Sequence, residues 1–110
     1  MDAQAINEIL ESLKITLGVT EEAEIAILSE ILNDAIAEIK KARNYPDDMS
    51  EAAIDADMQK YISNIKKLTK YDYSQIGAES ESAHNENGTN RTFYDRAKCF
   101  DGVVPFCRQF

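Results

Sequence analysis

Apolar residues recur at spacings of three and four along the first part of the chain, and the recurrence stops near Tyr73. Ile6, Ile9, Leu10, Leu13 and Leu17 share one face of a helix predicted over Ala3 to Leu17, with Glu8 and Glu11 pointing away. Gly18 can take the left-handed conformation that stops a helix. Thr20 is the expected N-cap of a second helix running from about Glu21 to Arg43, whose first acids, Glu21, Glu22 and Glu24, suit its positive end. Ile25, Leu28, Leu32, Ala35, Ile36 and Ile39 form its apolar stripe. Ile27, Ile31 and Ala42 widen the stripe to about half the circumference, so this helix should touch more than one neighbour. Lys40, Lys41 and Arg43 fall where cations complement the dipole, and are read as helix termination. Asn44 to Asp48 is a turn, because Tyr45 before Pro46 is biased to extended backbone. Ser50 then caps a third helix, with Glu51, Asp55 and Asp57 near its start. Ile54, Met58, Tyr61, Ile62, Ile65 and Leu68 make its buried face, and Lys66, Lys67 and Lys70 lie near its expected end, explained by capping and solvation.

Beyond the break the pattern is irregular. Residues Gly77 to Asn90 are rich in Gly, Ser, Asn and Glu, and Asn87-Gly88 is a turn signal. Its flanks, Ser80 to Glu86 and Thr89 to Tyr94, alternate too poorly for a strong hairpin. Thr92-Phe93-Tyr94 reads as a short strand or anchor, and Asp95 to Lys98 as one helical turn. The chain ends in an apolar, aromatic string from Cys99 to Phe110. A long patternless stretch in a small domain usually signals function or disorder, and this one is too apolar at its end for a solvated tail. The expectation is a mainly α fold: a three-helix bundle over residues 1–73, then an irregular C-terminal arm over 74–110 with room for a short strand or hairpin. Two readings of the arm stand side by side. Either another chain orders it, or it folds back over its own helices as a lid.

Length and charge narrow the function classes. The 110 residues make one domain, and no apolar run approaches the roughly 18 residues of a membrane span. The beginning, Met1-Asp2-Ala3-Gln4, lacks a signal-peptide layout, so a cytoplasmic site of synthesis is expected. The net charge of -8 sits in residues 1–39, which hold nine acids against Lys14 alone. A surface this acidic does not bind phosphates by neutralising them. Cys99 and Cys107 fit no zinc spacing; a disulfide across the loop between them is geometrically possible, but in a reducing cytoplasm they are expected as free, partly buried thiols. Two sequons, Asn87-Gly88-Thr89 and Asn90-Arg91-Thr92, are read as chance occurrences. No nucleophile is placed with a base, His84 being the single histidine, and the glycines are scattered without a phosphate-cradling loop. The chain is therefore not expected to be an enzyme, nor to carry a cofactor or metal. Glu79 and Glu81 are the weak exception, as loop acids suited to a cation, and would support a metal-dependent hydrolase only if divalent ions bound tightly.

One stretch carries a family resemblance. The run Lys70-Tyr71-Asp72-Tyr73-Ser74-Gln75-Ile76-Gly77-Ala78-Glu79-Ser80-Glu81-Ser82, followed by Gly88 and Thr92-Phe93, resembles a signature of phage head-tail connector proteins, the head-completion adaptors of long-tailed phages. Upstream, Leu17-Gly18-Val19 followed by an acidic helix start and a long apolar helix is similar to the same family. The likeness covers roughly Ile9 to Tyr94. Tyr73-Ser74-Gln75 stands where relatives tend to be basic, Ala78 replaces a frequent second glycine, and the cysteine-bearing tail is not part of the shared pattern.

The resemblance implies a structural adaptor of the virion, repeated as a symmetric ring of about twelve copies below the portal vertex. The ring would extend the DNA channel toward a stopper or tail-completion protein, and duplex DNA would pass without specific binding. The implied partners are other copies of the chain, the portal protein and the stopper, with no membrane. In this reading Phe100, Val103, Val104, Pro105, Phe106 and Phe110 dock onto the portal, and Gly77, Glu79, Ser82, Phe93 and Tyr94 shape the arm against a neighbour. The alternative from another class is a monomeric acidic protein-binding module, a DNA mimic or inhibitor that occupies a basic protein surface.

Overall fold

Capping residues set most of the helix boundaries. In the computed structural model, which describes residues 1–78 and 96–105, α1 spans Ala3–Leu17. Asp2 caps it, its Oδ1 accepting the Ala5 N–H at 2.8 Å. Gly18 ends it with φ of 70°, and the Val19 N–H reaches back to the Lys14 carbonyl at 2.9 Å. The second helix, α2, spans Glu22–Arg43. Its N-cap is Glu21, in extended backbone and without a side-chain capping bond, so the expected role of Thr20 is not realised. Glu22 and Glu24 in the first turn still meet the positive end of the dipole. Asn44 closes α2 in the left-handed region, with φ of 51°.

The expected third helix is two helices. Ser50 caps α3, Glu51–Met58, its Oγ accepting the Ala53 N–H at 3.2 Å. A single 3-10 turn, Gln59–Tyr61, follows, and α4 runs over Ile62–Ala78. Such a turn is a common joint between helices. It leaves apolar residues at three- and four-residue spacings, so periodicity cannot reveal it. The end of α4 is the second departure: the helix continues past Tyr73 to Ala78. Ile76 is the one large apolar residue among those added and it is half exposed, so they carry no apolar stripe, while the Tyr73 hydroxyl donates to Glu24 Oε2 at 2.6 Å and ties this end of α4 to α2.

The protein is mainly α, with no strand among the described residues. Helix α2 packs chiefly on α4, and α1 lies against both. Ile9 and Leu13 of α1, Leu28, Leu32, Ala35 and Ile39 of α2, Met58 of α3, and Ile65 and Leu68 of α4 form one buried core, joined by Val19 and Cys99. Each large apolar side chain buried this way contributes about 1.5–3 kcal/mol. Thr69 is fully buried among them, and its hydroxyl donates to the Ile65 carbonyl at 2.7 Å, so no polar atom is orphaned there.

Candidate functional site

Residues 96–105 run as a strap over the helices. They begin as a helical turn at 96–98 and continue through tight turns, with the N–H groups of Cys99, Phe100 and Asp101 each bonded to the carbonyl three residues back. The Val103 N–H closes on the Phe100 carbonyl at 2.9 Å, and Gly102 supplies the φ of 84° that this turn needs. Cys99 is only 7% exposed and belongs to the core, with Phe100 and Val103 packed against it. Residues 96–105 thus pack on the chain's own helices, as the lid reading expects of them. The thiol of Cys99 is buried, and burial pushes its pKa up.

Three polar side chains pin the strap along its length. Arg96, at its start, donates to both carboxylate oxygens of Asp72 at 2.9 and 3.0 Å and to Glu38 at 2.6 Å, linking α4 and α2. These charge-assisted bonds, those to Asp72 foremost, raise the guanidinium pKa still further. Asn64 of α4 donates from one amide nitrogen to the carbonyls of Cys99 at 2.9 Å and Asp101 at 2.8 Å. Arg43, the last residue of α2, donates to the Val104 carbonyl at 2.7 Å.

Arg43 is itself buried, and so is its partner. Its Nε and Nη2 meet the two oxygens of Asp57 at 2.9 and 3.2 Å, and the Tyr45 hydroxyl donates to the same carboxylate at 2.6 Å. The Tyr61 and Tyr45 rings flank the guanidinium, their centroids 5.0 and 5.7 Å from Cζ. Burial opposes charge on both partners. The hydrogen bonds and opposite charges outweigh it, so the Asp57 carboxyl lies below its usual range and the Arg43 guanidinium above its own. The Tyr45 phenol is pushed up to about 12, by burial first and by Asp57 second. Arg43 is thus more than the terminating cation that its position suggests.

The residues expected to dock or to shape the arm fall into distinct environments. Phe100 and Val103 rest on the chain's own core. Val104 is 58% exposed although its carbonyl is held, and Pro105 is exposed beside it. Gly77 lies in the last turn of α4. Glu79, Ser82, Phe93, Tyr94, Phe106 and Phe110, like Glu81, His84 and Cys107, lie outside the described residues, as do the sequons and the hairpin region. Among the described residues no group of His, Cys, Asp and Glu is placed to hold a metal, and no helix is long and apolar enough to cross a membrane. What the arrangement can do is mechanical: it fixes an exposed apolar pair, Val104-Pro105, relative to a rigid bundle.

No curated protein and no solved structure matches the chain. A family model does, over residues 7–102, which takes in most of α1, all of α2 to α4 and the strap as far as Gly102. That span goes beyond the Ile9-to-Tyr94 likeness of the sequence motifs and includes Arg43, Asp57, Asn64 and Arg96. By that match the chain belongs to the family of phage gp6-like head-tail connector proteins.

Proposed function

We propose that the chain is a ring-forming adaptor of a phage or prophage head-tail junction, repeated in about twelve copies under the portal and extending the DNA channel toward the stopper or tail. The family places it among structural proteins of the virion that contact other head and tail proteins. The observation that carries the finer reading is the strap: it is clamped by Arg96, Asn64 and Arg43, yet leaves Val104 and Pro105 exposed. An apolar pair fixed on a rigid body suits docking, because the entropy of ordering it is already spent. Val104, Pro105, Phe106 and Phe110 make the portal contact, and Phe100 and Val103 support it from beneath. Gly77, Glu79, Ser82, Phe93 and Tyr94 act between neighbouring copies. The acids of α1 and of the start of α2 (Glu8, Glu11, Glu21 and Glu22) let duplex DNA slide past, since they neutralise no phosphates. No step of this role needs catalysis.

Cryo-electron microscopy of purified virions and of isolated portals incubated with the full chain tests the reading. A ring of this protein directly below the portal is the expected result. Removing residues 106–110 should abolish ring density on portals while the helical circular dichroism stays unchanged. Absence of the protein from purified virions would overturn the adaptor role.

A further inference from the structure

The lysines of α4 lack the explanation that the sequence offered for them. Because α4 runs to Ala78, Lys67 and Lys70 are not in its last turn, which holds no basic residue. The helix dipole acts within about the last turn only, so it does not account for them. Neither forms an ion pair among the described residues. With about 3.6 residues per turn, Ser63, Lys67, Lys70 and Ser74 share the side of α4 turned away from Ile65 and Leu68. Lys67 and Lys70 border a groove of about 540 Å3 between α4 and the strap, completed by Tyr71, Lys98, Cys99 and Asp101. Its lining includes Cys99, which is buried. Three cations and one acid, Asp101, therefore border one groove on a chain whose net charge is -8.

The outward side of α2 is its complement. Ala23, Ile27, Glu30, Asp34 and Ala37 recur at spacings of three and four, all exposed, opposite the buried stripe of Leu28, Leu32, Ala35 and Ile39. Glu30 and Asp34 form no ion pair among the described residues. Ile27, 39% exposed, adds an apolar contact, and the alanines permit close approach of another helix. Helices α2 and α4 pack on each other through their buried faces. The acidic and basic patches are therefore two distinct outward surfaces of the same helix pair.

We infer that Glu30 and Asp34 on α2 of one copy dock against Lys67, Lys70 and Lys98 beside α4 of a second copy of this chain. Two unlike, oppositely charged patches are what a heterologous, head-to-tail contact requires, because each copy then uses both. Duplex DNA is the poorer occupant of the lysine groove, since the chain as a whole repels phosphates. The contact rests on the multi-copy connector reading and assigns it an interface.

Charge reversal tests it on the full chain by sedimentation, with circular dichroism as the check on folding. The wild-type chain should self-associate at about 0.01 M salt and dissociate at about 1 M, as the screening length falls from about 30 Å to about 3 Å. Glu30→Lys with Asp34→Lys, or Lys67→Glu with Lys70→Glu, should each weaken self-association at least about tenfold, because like charges then face each other. Mixing the two double variants, or combining all four changes in one chain, should restore it. Association indifferent to these changes overturns the contact, and so does a wild-type chain that stays monomeric at low salt up to millimolar concentration. Neither result bears on the connector role, whose failure shows separately as absence of the protein from virions.

Discussion

Arg43 ends α2 by gripping Asp57 of α3, and each buries the other's charge: both residues are 7% exposed, with two N–H···O contacts of 2.9 and 3.2 Å between them. The same guanidinium holds the Val104 carbonyl, so one side chain joins α2, α3 and the strap. Losing one partner of such a pair is costlier than losing both, because the survivor stays buried and charged. Arg43→Met should therefore destabilise the fold by about 3–5 kcal/mol, read from urea unfolding. Arg43→Met combined with Asp57→Leu should be more stable than Arg43→Met alone. Equal stabilities would show that Asp57 tolerates the loss of Arg43 through Tyr45 and solvent.

The same cluster sets limits in pH. Asp57 has its pKa lowered on folding, so its contribution is fully present above the unfolded value of about 3.9. That contribution is lost as pH falls through the lower folded value. Tyr45 moves the other way, to about 12, so its contribution is complete below the unfolded value of about 10. It disappears as pH climbs toward 12. Tyr73 is raised as well, by its hydrogen bond to Glu24 first, and adds to the alkaline loss. Thermal midpoints against pH should show a plateau flanked by these two limbs. Asp57→Asn should flatten the acid limb, and Tyr45→Phe with Tyr73→Phe the alkaline one. A pH profile unchanged by all three substitutions would mean that other groups govern it.

Asn64 bonds two strap carbonyls with one amide nitrogen, at 2.9 and 2.8 Å, and Cys99 lies beneath as a ready reporter. A thiol reacts as the thiolate, so burial and a raised pKa both protect Cys99 while the strap is closed. Each hydrogen bond of this kind contributes about 0.5–1.5 kcal/mol net. Asn64→Ala should thus open the strap roughly tenfold more often. The measurement is the labelling rate of Cys99 by a thiol reagent in a Cys107→Ser background. An unchanged rate would show that Arg96 and Arg43 hold the strap without Asn64.

Much of the helical framework was legible because burial in a bundle imposes a period. Ile9 and Leu13, Leu28 to Ile39, and Ile65 with Leu68 stand where their spacing placed them, and Asp2, Gly18 and Ser50 use chemistry visible one residue at a time. Two kinds of feature were not legible. The extension of α4 past Tyr73 has Ile76 alone as a large apolar residue and so carries no stripe, and its composition resembles a loop; misplacing that end also misassigned Lys67 and Lys70 as terminal charges. The strap's anchors are single polar residues whose partners lie far along the chain. Arg43 meets Val104, Asn64 meets Cys99, and Arg96 meets Glu38, and no local pattern encodes such pairs. A sharper cue was available in the tail, where Cys99 with Phe100 and Val103 is apolar enough to belong to the core of a small bundle that needs more of it.

Two glycines separate the stability of the bundle from that of the strap. Gly18 and Gly102 both have positive φ, 70° and 84°, and a Cβ added at either meets nothing within 4 Å. The penalty for alanine is therefore conformational in both cases, about 1–2 kcal/mol. Its consequences should differ by location. Gly18 turns the chain between α1 and α2, whose packing is the core, so Gly18→Ala should lower the global unfolding free energy by about that amount. Gly102 closes a turn within the strap alone, so Gly102→Ala should speed the labelling of Cys99 with a smaller loss in urea unfolding. If Gly102→Ala instead lowers global stability as much as Gly18→Ala does, the strap and the helices unfold as one unit, and the strap is then as integral to the fold as any helix.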